Sequence, residues 1–258
     1  MKILITGANG YVGKSLCNAL KDEYNVTGLT RNNFDLTDSS ETFNFFIDKH
    51  FDVVIHCAAA GGSRLKIDNS NVLDNNLKMY YNLLDNKHHF NKLIHFGSGA
   101  ELYSKDTHYG LSKHVIRESI LGQDNFYNLR IFAVFDKNEL DTRFIKANIK
   151  NYINKQPIQV FKDKKMDFFY MLDLVTLVKH YINNDNLLKE IDCNYSNTNT
   201  LLNVAQIINN LADYRIPIIF NHQTDDKPYV GKFTDLNLNY IGLEQGITYV
   251  YNKLKNEY

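Results

Sequence analysis

No apolar run in this chain approaches the length needed to cross a bilayer. The apolar start is broken at Gly7, too short for the core of a secretory signal, so neither a membrane span nor a cleaved leader is expected. An excess of either charge is also missing. Lys plus Arg and Asp plus Glu number 29 each, which leaves no global field to draw in nucleic acid or an anionic membrane surface. Cysteine is scarce: Cys17, Cys57 and Cys193 show neither zinc-ligand nor disulfide spacing, so no metal is expected and a reducing cytoplasmic setting suits the chain. Tryptophan is absent and proline occurs three times. Beside the many Asn and Lys residues, this is a compositional bias that excludes no function.

What is present is enough for a core. Hydrophobic residues make up 44% and aromatics 13% of the 258 residues, which rules out a disordered chain and allows one substantial domain with a small second lobe. The first thirteen residues, MKILITGANGYVG, organise the rest. Lys2 to Thr6 has the length of a buried strand; Gly7, Gly10 and Gly13 follow at a spacing of three; Val12, Leu16, Ala19 and Leu20 then recur with a helical period. Gly7 permits a tight exit from the strand, and Gly10 lets backbone N–H groups approach a pyrophosphate. Gly13 lets the helix pack on the sheet, with phosphate at the positive end of the helix dipole. The strand before and the amphipathic helix after separate this pattern from an ordinary glycine-rich turn.

Strands and helices then alternate. Asn25 to Leu29 is a second strand followed by Arg31, with no acid from Gly28 to Asn32. An acid there would hold a free ribose hydroxyl and an arginine a 2′-phosphate, so NADP is favoured over NAD, the alternative being an ordinary surface arginine. Asp35 and Leu36 are placed where a short strand passes under the adenine. Phe43 to Lys49 reads as a helix, Asp52 to His56 as a buried strand, and the small residues Cys57 to Gly62 after it let a cofactor lie against the backbone. Ser70 to Asn86 is a helix, Lys92 to Phe96 a strand ending in Gly97-Ser98-Gly99-Ala100-Glu101, Tyr109 to Leu121 a helix, and Asn125 to Phe132 a strand. The alternation predicts an α/β fold, a Rossmann-type doubly wound parallel sheet with a small C-terminal substrate-binding lobe. Its bounds are 1–135 for the nucleotide-binding part, with 168–200 returning to it, and 136–167 with 201–258 for the lobe. Helices are expected near Arg143 to Asn154, to Asn183 after DFFYMLDL, at Asn203 to Asp213 and at Leu243 to Leu254.

Ser98, Tyr109 and Lys113 form the chemical constellation. Tyr109 and Lys113 stand four apart and share a helix face. An ammonium there lowers the phenol from its ordinary value of about 10, which makes it a usable proton donor or acceptor. Ser98, at the end of a neighbouring strand, is placed to bind the same substrate oxygen. Singly, each residue has a plain alternative: a surface Tyr/Lys pair, or a serine in a glycine turn.

Together, TGxxGxxG, Ser98 and YxxxK resemble the extended short-chain dehydrogenase/reductase superfamily, and within it the nucleotide-sugar epimerase, dehydratase and reductase branch. DFFYMLDL is similar to that branch's mid-chain motif and GLEQGITYVYNKLK to its closing helix. LTRNNFDLTD and CAAAGGS resemble the GDP-fucose-synthase-like 4-keto-sugar reductases. The resemblance implies that Gly7, Asn9, Gly10, Tyr11, Val12, Gly13, Arg31, Asp35, Leu36, Cys57, Ala58, Ala59, Ala60, Asn76, Tyr109 and Lys113 contact NADP(H), with NAD as the alternative. It implies that Gly61, Gly62, Ser63, Ser98, Gly99, Ala100, Arg143 and Lys165 face a nucleotide-sugar substrate, and that Ser98, Tyr109 and Lys113 are catalytic.

Departures narrow the expectation. Gly99 and Ala100 stand where a dehydratase has an Asp-Glu pair and a fucose synthase a cysteine, which argues against dehydration and against epimerisation by that route. Glu101 is read as a structural carboxylate, and His56, His95 and His108 as core or loop residues. Met166 replaces the usual arginine of the mid-chain motif, and Asp136-Lys137 the usual Gly-Pro. The expected activity is NADPH-dependent reduction of the C4 keto group of a nucleotide-activated 4-keto-6-deoxy sugar. The alternatives are a nucleotide-sugar 4-epimerase with retained cofactor, or a non-catalytic dinucleotide sensor. The family implies a homodimer through Asn71 to His88 and Gly110 to Leu121.

Overall fold

A computed structural model of the chain describes residues 1–63, 67–220 and 227–257. In chain order it runs β1 (Lys2–Thr6), α1 (Tyr11–Leu20), β2 (Asn25–Leu29), α2 (Ser39–Phe46), β3 (Phe51–His56), α3 (Ser70–Asp85), β4 (Phe90–Ser98), α4 (Ala100–Tyr103), α5 (His108–Leu121) and β5 (Phe126–Ile131). There follow β6 (Val134–Phe135), α6 (Phe144–Ile153), β7 (Ile158–Val160), β8 (Lys165–Met166), β9 (Phe169–Tyr170) and α7 (Met171–Asn183). The last elements are β10 (Glu190–Cys193), β11 (Asn199–Thr200), α8 (Leu201–Asn209), β12 (Ile218–Phe220) and α9 (Leu243–Lys255).

The central sheet has six strands in the order β10-β5-β4-β3-β1-β2, and the pairs β1–β2, β1–β3 and β3–β4 are parallel. Crossing from β1 to its inner neighbour β3 requires a return past β2, the reversal of strand order at which doubly wound sheets bind ligands. Ile3, Leu4 and Ile5 are wholly buried, as are Val54 and Ile55 of β3. Covering on both faces is why these strands are unbroken apolar runs. β2, at the sheet edge, is largely exposed.

Contacts divide the chain into two compact units: 1–130 with 178–191, and 131–177 with 192–258. The segment returning to the first unit is thus shorter than the 168–200 assigned from sequence. Leu4, Phe46, Val54, Tyr80, Leu93, Ile116 and Phe126 belong to the core of the first unit. The second has its own core, with Ile145, Ile149, Tyr152, Val204, Ile208, Ile247 and Val250 among its members. Around that core lie the short pairs β6–β9, β7–β12 and β8–β11.

Two local readings change. α2 begins at Ser39 rather than Phe43, because the Asp38 side chain accepts the Glu41 backbone N–H at 2.8 Å and caps the helix earlier than the apolar rhythm starts. Asp35 and Leu36 lie in a turn and not in a strand. Asp35 accepts the Thr37 amide at 3.0 Å, the local side-chain bond by which Asp competes with extended structure.

Candidate active site

The glycine turn is built by contact. Gly7 has φ +66° and its carbonyl accepts the Gly10 amide at 2.8 Å; a Cβ at Gly13 would collide with that carbonyl. α1 starts at Tyr11 with no side-chain cap and no acid in its first turn. At such a helix start a pyrophosphate supplies hydrogen-bond acceptors together with the negative charge that the helix dipole favours. These residues fit a dinucleotide. Asn9 and Gly10 are exposed, and Tyr11 and Val12 half-buried, along this turn.

Arg31 is exposed past the end of β2, close enough to Asp35 to help hold that carboxyl below its usual range, behind the larger effect of its bonds to Thr37. Leu36 is buried, and its carbonyl accepts the Asn82 amide at 2.8 Å. After β3, Cys57, Ala58 and Ala60 are half-buried, while Ala59, Gly61, Gly62 and Ser63 are exposed. Burial pushes the Cys57 thiol up, so it is protonated and inert at neutral pH. Asn76, buried on α3, holds this loop: it accepts the Ala60 amide at 2.7 Å, donates to the Ala60 carbonyl at 3.1 Å and donates to Ser112 at 2.9 Å. Its amide is engaged by the loop that is expected to face the cofactor.

α5 opens with Thr107 capping the Gly110 amide at 3.0 Å. The cap sets Tyr109 in the first turn and Lys113 one turn on. Tyr109 is half-buried, with its ring against Gly62, where an added Cβ would lie 2.8 Å from the phenol Cζ. Lys113 is buried, its ammonium 5.9 Å from the Tyr109 ring centroid. Desolvation lowers Lys113 to about 8, with the nearby Glu101 charge opposing the fall. A cation therefore stands beside the phenol at neutral pH. Ser98 ends β4, buried, its hydroxyl accepting the Ala100 amide at 3.2 Å. A Cβ at Gly110 would lie 2.9 Å from the Ala100 carbonyl, so the first turn of α5 packs on the segment that follows Ser98.

Glu101 is fully buried. It pairs with Arg130, accepts from Asn128 at 2.9 Å and accepts the Ser98 amide at 3.2 Å. Burial raises this carboxyl, against the pull of Arg130. Its work is structural. His56 is buried at the end of β3 and His95 within β4, three residues before its end, and His108 is exposed at the start of α5. The sequence reads Glu101 as structural and His56 and His95 as core or loop residues, but names neither Arg130 as the partner of Glu101 nor the juxtaposition of the two imidazoles. The available signal was that β1, β3 and β4 each carry a polar residue near their carboxyl ends.

Arg143 and Lys165 belong to the second unit, both exposed, the first preceding α6 and the second on β8. Asp136 and Lys137 follow β6, and Lys137 pairs with Glu257 at 3.0 Å.

Parallel strands, a glycine turn before α1 and a Tyr/Lys pair at the strand ends define a Rossmann-type, dinucleotide-dependent oxidoreductase. The chain belongs to the NAD dependent epimerase/dehydratase family, whose profile matches residues 3–194, and with it to the NAD(P)-dependent enzymes of the extended short-chain dehydrogenase/reductase class. A GDP-L-colitose synthase of Yersinia pseudotuberculosis is 24% identical, the match covering all of this chain and 99% of that protein. Among solved structures, a UDP-glucose 4-epimerase of Thermotoga maritima superposes with TM-score 0.82 at 16% identity, over all of this chain and 99% of the other. A GDP-mannoheptose C4 reductase of Campylobacter jejuni with NADP bound superposes with TM-score 0.79 at 18% identity, over 98% of each chain. At these identities the structural likeness establishes the fold. Among the described residues no helix is long and apolar enough to cross a membrane.

Proposed function

We propose that this enzyme reduces the C4 keto group of a nucleotide-activated 4-keto-6-deoxy sugar with NADPH. The observation that carries the reading is the Tyr109–Lys113 pair on one face of α5, with the phenol ring against Gly62 and the buried ammonium beside it. When bound, the dinucleotide supplies a hydride. The Tyr109 hydroxyl donates a proton to the carbonyl oxygen as negative charge develops there. Lys113 favours the phenolate that remains. Ser98 hydrogen-bonds the same oxygen and polarises the carbonyl. Gly99 and Ala100 place no further acid or base beside it, which supports reduction alone. Arg31 supports the 2′-phosphate of NADPH. The colitose synthase relative makes, by its name, a GDP-linked sugar, and this supports the substrate class. For the diphosphate we retain Arg143 and Lys165. A homodimer through α3 and α5 goes with the reading, and gel filtration tests it.

NADPH mixed with the enzyme and a panel of 4-keto nucleotide sugars is expected to lose its nicotinamide absorbance with at least one of them. No oxidation with any member rejects the proposal. Tyr109→Phe is expected to slow turnover about a thousandfold, within the range for a lost general acid, while dinucleotide affinity stays unchanged. Tightly retained NAD(H) without net NADPH oxidation would instead identify a 4-epimerase. Indifference to Tyr109→Phe would identify a sensor.

A further inference from the structure

Three neighbouring strands carry, near their carboxyl ends, buried polar side chains that the proton transfer at Tyr109 does not use. Thr6 of β1 pairs in register with His56 of β3, and His56 with His95 of β4. They are 0%, 1% and 1% exposed. Register partners project to the same face of a sheet, and the two imidazole rings lie 5.2 Å apart. The row ends at Lys113, whose Nζ lies 3.4 Å from His95 Nε2 and donates to the Phe96 carbonyl at 2.7 Å.

Proton positions follow from this arrangement. An ammonium only donates, so His95 accepts from it at Nε2 only with its own proton on Nδ1. Among the described residues that buried Nδ1 has no hydrogen-bond partner. The opposite tautomer would set donor against donor. At the far end of the row, Thr6 Oγ1 accepts the Ala58 amide at 3.2 Å and lies 2.8 Å from His56 Nδ1. Burial, reinforced by the Lys113 charge, keeps both imidazoles neutral. Neutral rings seat a cation that charged ones would expel. The other groups facing this cluster are Glu101 and Cys57 toward Lys113, and the Tyr80 ring 6.3 Å from His95.

We propose that His95 is a positioning residue for Lys113: with the Phe96 carbonyl it takes two of the three ammonium donors and leaves the third for the Tyr109 side of α5. Its consequence for turnover rests on the catalytic reading above; the contact itself does not.

Long-range proton–nitrogen NMR correlation on the full wild-type chain reads the tautomer. A proton on Nδ1 with bare Nε2 is expected at His95, and a proton on Nε2 overturns the proposal. In protein carrying carbon-13 at the lysine ε position, the Lys113 signal is assigned by its loss in Lys113→Met. Its midpoint is expected near 8 in the wild type. His95→Phe should move it down by about one pH unit, because a bond to the charged form favours that form. His95→Gln, which keeps an acceptor, should restore it. Equal midpoints in wild type and His95→Phe overturn the proposal, and if that variant does not fold the wild-type tautomer decides. Should Tyr109→Phe keep full turnover, the catalytic reading fails while the Lys113 titration still reports whether His95 holds the ammonium.

Discussion

Gly62 carries a constraint that no property of glycine in the sequence announces. Its φ of +72° is one that side chains rarely adopt, and a Cβ there would press on three atoms of the Tyr109 ring. Gly62→Ala is expected to cost about 1–3 kcal/mol in backbone strain and to displace the phenol. The check is a fall in kcat with dinucleotide affinity retained; unchanged kcat would show that Tyr109 does not depend on this loop. Glu101 makes the same point for charge. The sequence reads it as a structural carboxylate without naming a partner, and the fold buries it against Arg130 and Asn128. Tyr109 and Lys113 were legible as a pair on one helix face, because that face depends on residues within one turn; the Thr107 cap one step before the helix emerges only in the structure.

At the scale of elements, long periodic segments were legible and short ones were not. β1, β2, α3, α5 and α9 stand within a residue or two of the sequence reading. The pairs β6–β9, β7–β12 and β8–β11 are two or three residues long, too short for a period of two to register. Beside its apolar core, the second unit is tied together by a buried carboxylate. Asp173, in the first turn of α7, accepts the Ile241 amide at 2.7 Å, the Gly242 amide at 3.0 Å and the Tyr195 hydroxyl at 2.5 Å, which fixes the chain just before α9. Asp173→Ala strands these donors and is expected to cost about 3 kcal/mol. Tyr195→Phe, which removes one of them, should cost about 1 kcal/mol. Denaturant midpoints test both, and hydrogen exchange should show the amides of α9 losing protection first. Equal stability of Asp173→Ala and the wild type would remove Asp173 from this role.

Across the whole molecule, two buried titratable groups, one in each unit, respond to pH in opposite senses. In the first, burial, with the Lys113 charge behind it, takes His56 from 6.5 to about 3. Between those values the unfolded chain binds a proton that the folded one refuses, so stability falls as pH drops from 6.5 toward 3. In the second, burial raises Glu139 from 4.5 to about 8. There the folded chain keeps a proton that the unfolded chain releases, so this contribution is full below 4.5 and is lost as pH rises toward 8. His56→Gln should flatten the acid limb of a stability profile, and Glu139→Gln the limb between 4.5 and 8, both read as urea midpoints against pH. A limb unchanged by its variant would assign it to other groups. By itself, the sequence determined the alternation of strands and helices, the glycine turn before α1 and the Tyr–Lys spacing on α5, since each depends on neighbours a few positions away. Only the tertiary structure decided that Glu101 faces Arg130, that Asn76 holds the Ala60 loop and that His95 lies beneath Lys113. Burial and partners tens of residues distant set those contacts and proton positions, and a local pattern of residues carries no trace of either.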